Sequence, residues 1–289
     1  MTVNSRLNVI LGAGNLGDRK IDKTVRYDTP DEVNAYLNAF YNRGYRQIDT
    51  ARVYSTGAPG TSEPRLGAVG AGKRFTIDTK VLSREPGSHE RDKIAQEVEA
   101  SLKALQIDQI NILYLHQPDR TTPFEETCEA IDAAYKEGKF KKFGLSNFRA
   151  DEVKQILEIC DRRSPAGGGF FAGNHKNAVS GGRFDKSTFL GAIYSALYLK
   201  PAIEAATENA LAVAAKHGVS GHAAALRWTA YHSVLDPKYD DAVIIGSSTV
   251  DQLNSNLDVI EQGPLPKDIV EAINALYNEV GEEEIPYHF

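Results

Sequence analysis

Four apolar segments of the sequence each end in a polar residue that can exchange a proton or bind a polar group. These residues are Asp49 in RQIDTA, Lys80 in FTIDTK, His116 in ILYLH, and Ser146 with Asn147 in GLSN. Taken singly, each is more often a cap, a core side chain or a solvated lysine. In parallel α/β folds, however, the carboxyl ends of the strands form the functional site. We therefore expect these side chains to converge on one opening.

Tyr54 gives this set of residues a chemical purpose. It follows Asp49 by five residues, in the loop at the same opening. Free tyrosine has a pKa of about 10 and exchanges protons poorly near neutral pH, but a nearby ammonium group favours the phenolate. Lys80 could supply that positive charge, and Asp49 could hold and orient Lys80. The set predicts proton transfer.

The segments that carry these residues belong to a regular alternation of strands and helices. Runs rich in β-branched residues alternate with amphipathic stretches through five units, from NVILGA to ADEVKQILEICDRR, which predicts parallel strands joined by right-handed crossovers. Residues 164–200 are rich in glycine and contain no convincing strand. Two helices, a sixth strand (DAVIIG) and two further helices follow. No linker or internal repeat indicates a second domain, so we expect one domain over residues 1–289.

Composition narrows the classes of partner. The chain has 289 residues, 42% of them hydrophobic, and a net charge of -6 with scattered Lys and Arg, which favours a small-molecule partner over nucleic acid. The polar N-terminus and the absence of eighteen consecutive apolar residues predict a cytoplasmic protein without a membrane segment. Cys128 and Cys160 fall in predicted helices, which indicates reduced thiols, and no metal-binding spacing is present. We also expect that a homodimer can form.

Several motifs, in order along the chain, resemble one known family. GYRQIDTARVY (44–54), the lysine in IDTKV, LYLHQPD (113–119) and GKFKKFGLSNF (138–148) together resemble the aldo-keto reductases. Within that family the chain looks most like the aflatoxin-aldehyde reductase branch, because FFAGNHK, AALRWTAYHS and VIIGSSTVDQLNSNL also fall in order. The resemblance covers nearly the whole chain. It implies an α/β fold of the TIM (β/α)8 barrel type, an NADP(H) cofactor and the reversible reduction of aldehydes or ketones.

The resemblance also assigns roles to individual residues. Tyr54 would donate a proton to the carbonyl oxygen, and Lys80 and Asp49 would tune it. His116 would orient the carbonyl, and the nicotinamide would supply hydride. The implied cofactor-binding residues are Ser146 and Asn147 at the carboxamide, Ser164, Pro165, Gly167 and Gly168 near the phosphates, Arg183, and Gly246, Ser247, Ser248, Gln252 and Asn256 after the last strand. Gln252 stands where many relatives carry an arginine for the 2'-phosphate, so the preference for NADP over NAD rests on the resemblance.

The chain departs from the family at one point. The family's sixth strand, sixth helix and seventh strand should lie between EICDRR and SPAGGG, but here Arg163 is joined directly to Ser164. A cofactor-binding glutamine and the aromatic residue that stacks on the nicotinamide would be lost with this block. We therefore expect only six barrel strands, with exposed edges on strand five and the last strand. Marginal stability, weak cofactor binding or altered packing of residues 164–200 would follow.

Two other motifs suggest different dehydrogenase folds. GAGNLG, residues 12–17, spells the G-x-G-x-x-G of Rossmann domains, but the residues after Gly17 lack helical periodicity and the next helix begins near Pro30. We interpret this segment as the end of strand one and a turn, in which Gly12 and Gly14 let the backbone lie close to the nicotinamide end of the cofactor.

The second motif spells the Y-x-x-x-K of short-chain dehydrogenases with Tyr135 and Lys139. Gly138 indicates that the helix ends between the two residues, so they would not share one helix face. The pair is better explained as a helix end followed by a solvated lysine.

Three hypotheses stay open at this point. The first is a working NADPH-dependent carbonyl reductase. The second is a non-catalytic, cofactor-sensing barrel comparable to the potassium-channel β subunits, which resemble the same family. The third is a shortened chain that folds poorly.

Overall fold

A computed structural model describes residues 7–83, 85–157 and 200–280, which form six strands and nine α-helices. The strands are β1 (Asn8–Gly12), β2 (Gln47–Asp49), β3 (Thr76–Val81), β4 (Ile110–Leu115), β5 (Phe140–Leu145) and β6 (Ala242–Ile245). The helices are α1 (Pro30–Asn42), α2 (Ser62–Ala68), α3 (Arg91–Leu105), α4 (Phe124–Lys136), α5 (Ala150–Leu157), α6 (Pro201–Lys216), α7 (Gly221–Tyr231), α8 (Val250–Glu261) and α9 (Lys267–Val280). Short 3-10 helices cover Ala71–Lys73 and Pro237–Tyr239. The predicted alternation of strands and helices is confirmed within these ranges.

The strands form one sheet in the order β5-β4-β3-β2-β1-β6. Pairing is parallel from β1 through β5, and the register places Asp49 opposite Asp78 and Lys80 opposite Tyr114. In the part of the chain that the structure describes, β5 and β6 are the two ends of this order. The α/β architecture with six strands and two edge strands therefore agrees with the prediction.

Local sequence explains where the first helix begins. Thr29 accepts a hydrogen bond from the Glu32 backbone N–H at 3.4 Å, and the Glu32 carboxylate accepts one from the Thr29 N–H at 3.0 Å, which is a capping box. Pro30 occupies the first helical position, where its missing N–H costs nothing. The buried residues Val33, Leu37 and Phe40 follow at helical spacing and face the core.

The described residues divide into two compact units. One contains residues 9–83, 85–157 and 244–254, and its core packs α3 and α4 against β3, β4 and β5 through residues such as Ile94, Val98, Leu113, Ile131 and Phe140. The other contains residues 7–8, 200–243 and 255–280, with a core formed by small residues of α6 and apolar residues of α9. Burying a side chain of the size of Leu or Phe contributes about 1.5–3 kcal/mol. The single domain over residues 1–289 stays a prediction.

The GAGNLG segment ends a strand and does not start a helix. β1 ends at Gly12, Leu16 forms an isolated bridge with Tyr27, and α1 begins only at Pro30. A Cβ atom on Gly17 would lie 2.8 Å from the Ser55 Cβ atom, so close packing of the turn against the loop after β2 requires this glycine. The Rossmann alternative is excluded.

The two residues of the Y-x-x-x-K motif, Tyr135 and Lys139, do not share one helix. Helix α4 ends at Lys136, and Gly138 takes a positive φ of 74° that turns the chain towards β5. Lys139 therefore lies outside the helix, as predicted. Its ammonium forms an ion pair with Glu99 and is half-buried, so it is less solvated than the sequence suggested.

Two further predictions can be compared with the described residues. Cys128 lies in α4 and forms no disulfide within the described residues, whereas Cys160 lies outside them. None of the helices in the described ranges combines the length and the apolar character that crossing a bilayer requires.

Candidate active site

The predicted site residues meet at the carboxyl ends of neighbouring strands. Asp49 is the last residue of β2, Lys80 is the fifth of the six residues of β3, and His116 directly follows β4. Tyr54 lies in the loop after β2. These four residues belong to one compact unit, and the sheet order brings their strands side by side.

Lys80 and Asp49 form a buried ion pair. The Lys80 ammonium donates to Asp49 Oδ1 and, at 2.8 Å, to the backbone carbonyl of Thr50, while 7% and 4% of the two residues are exposed. Burial alone would lower the pKa of Lys80, but the attraction of Asp49 and then of Tyr54 outweighs it and raises that pKa above its ordinary value. The Lys80 ammonium therefore keeps its positive charge close to Tyr54.

The Tyr54 ring lies close to both this ammonium and the imidazole ring of His116. The Lys80 Nζ atom lies 5.1 Å from the centroid of the Tyr54 ring. His116 meets the same ring edge-on, with centroids 5.5 Å apart and an interplanar angle of 83°. A Cβ atom added to Gly14 would lie 3.8 Å from the Tyr54 ring, so the GAGNLG turn borders the tyrosine. An ammonium this close stabilises a phenolate when the tyrosine gives up its proton.

A salt-bridge network that sequence reasoning missed holds the loop that carries Tyr54. Arg52 pairs with Glu63 at 2.6 Å and with Glu97 at 3.0 Å, and its backbone N–H donates to the Lys80 carbonyl at 3.0 Å. Thr79 of β3 donates to the buried Glu63 carboxylate at 2.7 Å. The sequence signal consists of three charged residues spread over 46 positions, which is too dispersed to be recognised without the fold.

A pocket of about 130 Å³ opens beside Tyr54 and His116. Its lining residues are Val53, Tyr54, Thr56, Leu82, Ser83, His116 and Gln117. The Gln117 side chain donates to the Ser83 carbonyl at 2.6 Å, which ties the loops after β3 and β4 together. The pocket combines apolar contacts with a phenol and an imidazole, and so can orient a small polar molecule.

Ser146 and Asn147 follow β5 and lie next to His116. The Asn147 side chain donates to the His116 carbonyl at 2.7 Å and to Ser146 Oγ at 3.0 Å. Asn147 has a positive φ of 62°, a backbone conformation that asparagine tolerates better than most residues. The GLSN segment is thus joined to the predicted site.

The segment after β6 meets the turn after β1. The Asn15 side chain donates to the Ser247 carbonyl, and Gly246 lies close to Gly12, since a Cβ atom added to it would be 3.9 Å from the Gly12 carbonyl. The buried Ser247 hydroxyl has no hydrogen-bond partner among the described residues. A buried hydroxyl without a partner costs about 1–3 kcal/mol, which a bound ligand could recover.

The remaining residues of this segment lie at and within α8. The Ser248 N–H donates to the Gln252 side chain at 3.0 Å, and Asn256 lies one turn further along the helix, where it is hydrogen-bonded to His222 at 2.7 Å. The other predicted cofactor residues, Ser164, Pro165, Gly167, Gly168 and Arg183, lie outside the described residues, as does the junction of Arg163 and Ser164.

Asp78 is a further charged residue of the site that the sequence did not single out. It is 1% exposed and accepts hydrogen bonds from the Gln47 and Asn111 side chains, each at 2.6 Å. Burial raises the pKa of Asp78 to about 6. The hydrogen bonds from Asn111 and Gln47 lower this pKa but do not offset burial, and the charge of Asp49 raises it to a smaller extent. The signal that could have found it is the spacing in DTK, since Asp78 and Lys80 share one face of β3.

A family model decides the relationship of this chain to known proteins. The model described as "Aldo/keto reductase family" matches residues 8–163 and 160–278. The chain belongs to the aldo-keto reductase family. Membership implies the (β/α)8 barrel type of fold, of which the described residues show a six-stranded sheet with helices, and it supports oxidoreductase activity. The two matched segments overlap at residues 160–163, next to the predicted missing block, whose absence stays a prediction.

Curated relatives cover nearly the whole chain. An aldo-keto reductase of Pseudocercospora fijiensis (strain CIRAD86) is 33% identical over 87% of this chain and 99% of its own length. Human "Aldo-keto reductase family 7 member A3" is 31% identical over 99% of this chain and 98% of its own length. Human "Aflatoxin B1 aldehyde reductase member 2" is 32% identical over 89% of this chain and 85% of its own length. The alignment with the former human protein spans 338 positions, more than the 289 residues present here. That relative therefore has residues without a counterpart in this chain.

Proposed function

We propose that this aldo-keto reductase reduces small aldehydes or ketones to alcohols with NADPH, and that Tyr54 donates the proton. The observation that carries the proposal is the arrangement around Tyr54. Its ring lies 5.1 Å from the ammonium of the buried Lys80–Asp49 pair, meets His116, and lines the same pocket as His116. Proton transfer by a positioned side chain of suitable acidity accelerates a reaction by about 10²–10⁴-fold.

Each of the four residues has its own task in this proposal. A carbonyl group in the pocket accepts the Tyr54 proton on its oxygen, and the Lys80 charge stabilises the phenolate that remains. Asp49 holds the Lys80 ammonium in place beneath the ring. His116 orients the carbonyl oxygen towards the phenol. NADPH, when bound, supplies the hydride that reduces the carbonyl carbon.

One feature of the described residues supports a bound cofactor in this proposal. The Ser247 hydroxyl is buried without a partner in the described part of the chain, which suits a site that a polar ligand completes. We infer that Ser146 and Asn147 hold the carboxamide, and that Gly246, Ser247, Ser248, Gln252 and Asn256 hold the adenosine phosphate. Ser164, Pro165, Gly167, Gly168 and Arg183 remain part of the proposal. A cytoplasmic location and a homodimer also remain expectations.

The proposal is tested by following NADPH absorbance with 4-nitrobenzaldehyde as the probe substrate. Tyr54→Phe should lower the turnover rate by about 10²–10⁴-fold. Tyr114→Phe is the matched control, because the Tyr114 ring also lies near the Lys80 Nζ atom, at 5.6 Å, but does not line the pocket. Equal turnover by the wild-type protein and Tyr54→Phe would refute the assigned role of Tyr54.

The same samples separate the alternatives. A change in NADPH fluorescence on binding, without turnover of any aldehyde, would support a non-catalytic, cofactor-binding barrel. A low, broad melting transition that NADPH does not shift would indicate a shortened chain that folds poorly. A working reductase should instead melt at a higher temperature when NADPH is present.

A further inference from the structure

We propose that Asp78 is a positioning residue of this site, whose negative charge acts through the Lys80–Asp49 pair to keep the Tyr54 hydroxyl protonated. The inference rests on the proposed function, because it concerns the proton that Tyr54 would donate. It assigns a task to a buried carboxylate outside the four residues of the proposed mechanism.

The fold places Asp78 directly beside the ion pair. Asp78 is the parallel-strand partner of Asp49, and it precedes Lys80 by two residues on the same face of β3. Adjacent strands lie about 4.8 Å apart, so the two carboxylates are neighbours within a buried layer. Both carboxylates are almost fully excluded from water. Charges in such a buried environment interact more strongly than charges at the surface.

The surroundings of Asp78 are built to hold a carboxylate. Side-chain amides reach it from both flanking strands: Gln47 of β2 and Asn111 of β4 each donate at 2.6 Å, and the Ile112 backbone N–H donates at 3.2 Å. Three donors to one carboxyl group favour its ionised form over its neutral form. Asp78 is therefore negatively charged above about pH 6, where burial has placed its pKa.

The charges around Asp78 determine whether it favours or opposes the loss of the Tyr54 proton. The charged or titratable groups that face Asp78 are Asp49 from β2, Lys80 from β3 and Tyr114 from β4. With Asp78 ionised, the two carboxylates and one ammonium sum to one negative charge, which opposes formation of a phenolate nearby. The same two carboxylates also disfavour the phenolate form of Tyr114, whose pKa is raised mainly by burial and then by Asp78 and Asp49.

Asp78→Asn and Asn111→Ala form a matched pair of variants. The first removes the charge, whereas the second removes one of the hydrogen bonds to Asp78 but leaves the charge. We expect Asp78→Asn to lower the pH at which Tyr54 loses its proton by about one unit. Asn111→Ala should leave that pH unchanged, because Asp78 is still ionised under alkaline conditions.

The measurement is a carbon-13 NMR titration of the full chain with label on the Cζ atom of tyrosine. Tyr54→Phe identifies the Tyr54 resonance by its loss. A lower midpoint in Asp78→Asn alone supports the inference, whereas equal shifts in both variants, or none in either, overturn it. No cofactor or substrate is present, so this result is independent of reductase activity, which the NADPH assay tests separately.

A second reading of the same titration does not depend on the folding of Asp78→Asn. In the His116→Gln variant, which lacks the titratable ring that lies against Tyr54, the Tyr54 resonance should show a small inflection near pH 6, as Asp78 gains its charge. Asn111→Ala removes a donor to the carboxylate, so this inflection should move to higher pH. A Tyr54 resonance that is flat through this range in the His116→Gln variant overturns the inference.

Discussion

The ring of Tyr54 lies edge-on against the ring of His116, with 5.5 Å between their centroids. The two residues come from loops after different strands, β2 and β4, and both line the same pocket. Aromatic pairs in this arrangement attract each other by about 0.5–1.5 kcal/mol, so each ring helps to fix the other. A change at His116 should therefore affect the placement of Tyr54 as well as the lining of the pocket.

We expect His116→Ala to lower kcat/KM for 4-nitrobenzaldehyde by about 10²-fold, since the variant loses both carbonyl orientation and support for Tyr54. Gln117→Ala is the matched control, because Gln117 is the next residue and lines the same pocket. Steady-state NADPH oxidation measures both. The assigned role of His116 is wrong if the two substitutions have the same effect.

Gly17→Ala should lower the free energy of unfolding by about 1–3 kcal/mol. Its new Cβ atom would lie 2.8 Å from Ser55 Cβ and 2.9 Å from Thr61 Oγ1, so the turn after β1 and the loop after β2 would have to separate. Gly14→Ala is the comparison, because its Cβ atom meets the Tyr54 ring at an ordinary 3.8 Å. Urea unfolding should show a large loss for Gly17→Ala and a small one for Gly14→Ala; the reverse order would contradict the packing described for this turn.

These glycines show what the sequence can and cannot predict. The strand-then-helix order follows from apolar periodicity and turn residues, so GAGNLG could be recognised as a strand end from the polar stretch after Gly17. The convergence of Asp49, Lys80 and His116 also follows, because parallel strands end on one side of a sheet. The hydrogen-bond donors of Asp78 could not be predicted, since they lie on two other strands and depend on register. Register is a property of the assembled sheet.

Removing either partner of the Lys80–Asp49 pair should destabilise the protein. Lys80→Met leaves the Asp49 carboxylate buried without its ammonium, and we expect the free energy of unfolding to fall by roughly 3–5 kcal/mol. The double variant Asp49→Asn/Lys80→Met should lose less than the sum of the two single losses, because no unpaired charge remains. Urea unfolding of the four proteins gives the coupling energy, and additive losses would show that the ion pair is not formed.

His89 should make the protein less stable in mild acid. Its side chain is fully buried, its Nε2 atom is hydrogen-bonded to Ser83 Oγ at 2.7 Å, and burial lowers its pKa from 6.5 to about 4. The unfolded chain therefore binds a proton between about pH 6.5 and pH 4 that the folded chain excludes, so the stability contribution of a neutral His89 is complete above this range and is lost as pH falls through it.

The free energy of unfolding lost through His89 is roughly 3 kcal/mol near pH 4. A variant without a titratable side chain at this position would not have this loss. Asp78 acts in the opposite direction over part of this range, because its pKa is raised on folding to about 6 and protonation then favours the folded state. The wild-type pH dependence thus contains both contributions, and the difference between wild type and His89→Leu isolates the one from His89. Urea unfolding at about pH 7 and about pH 5 should show His89→Leu gaining stability relative to wild type at the lower pH. A difference that does not change with pH would mean that His89 can accept a proton within the folded protein.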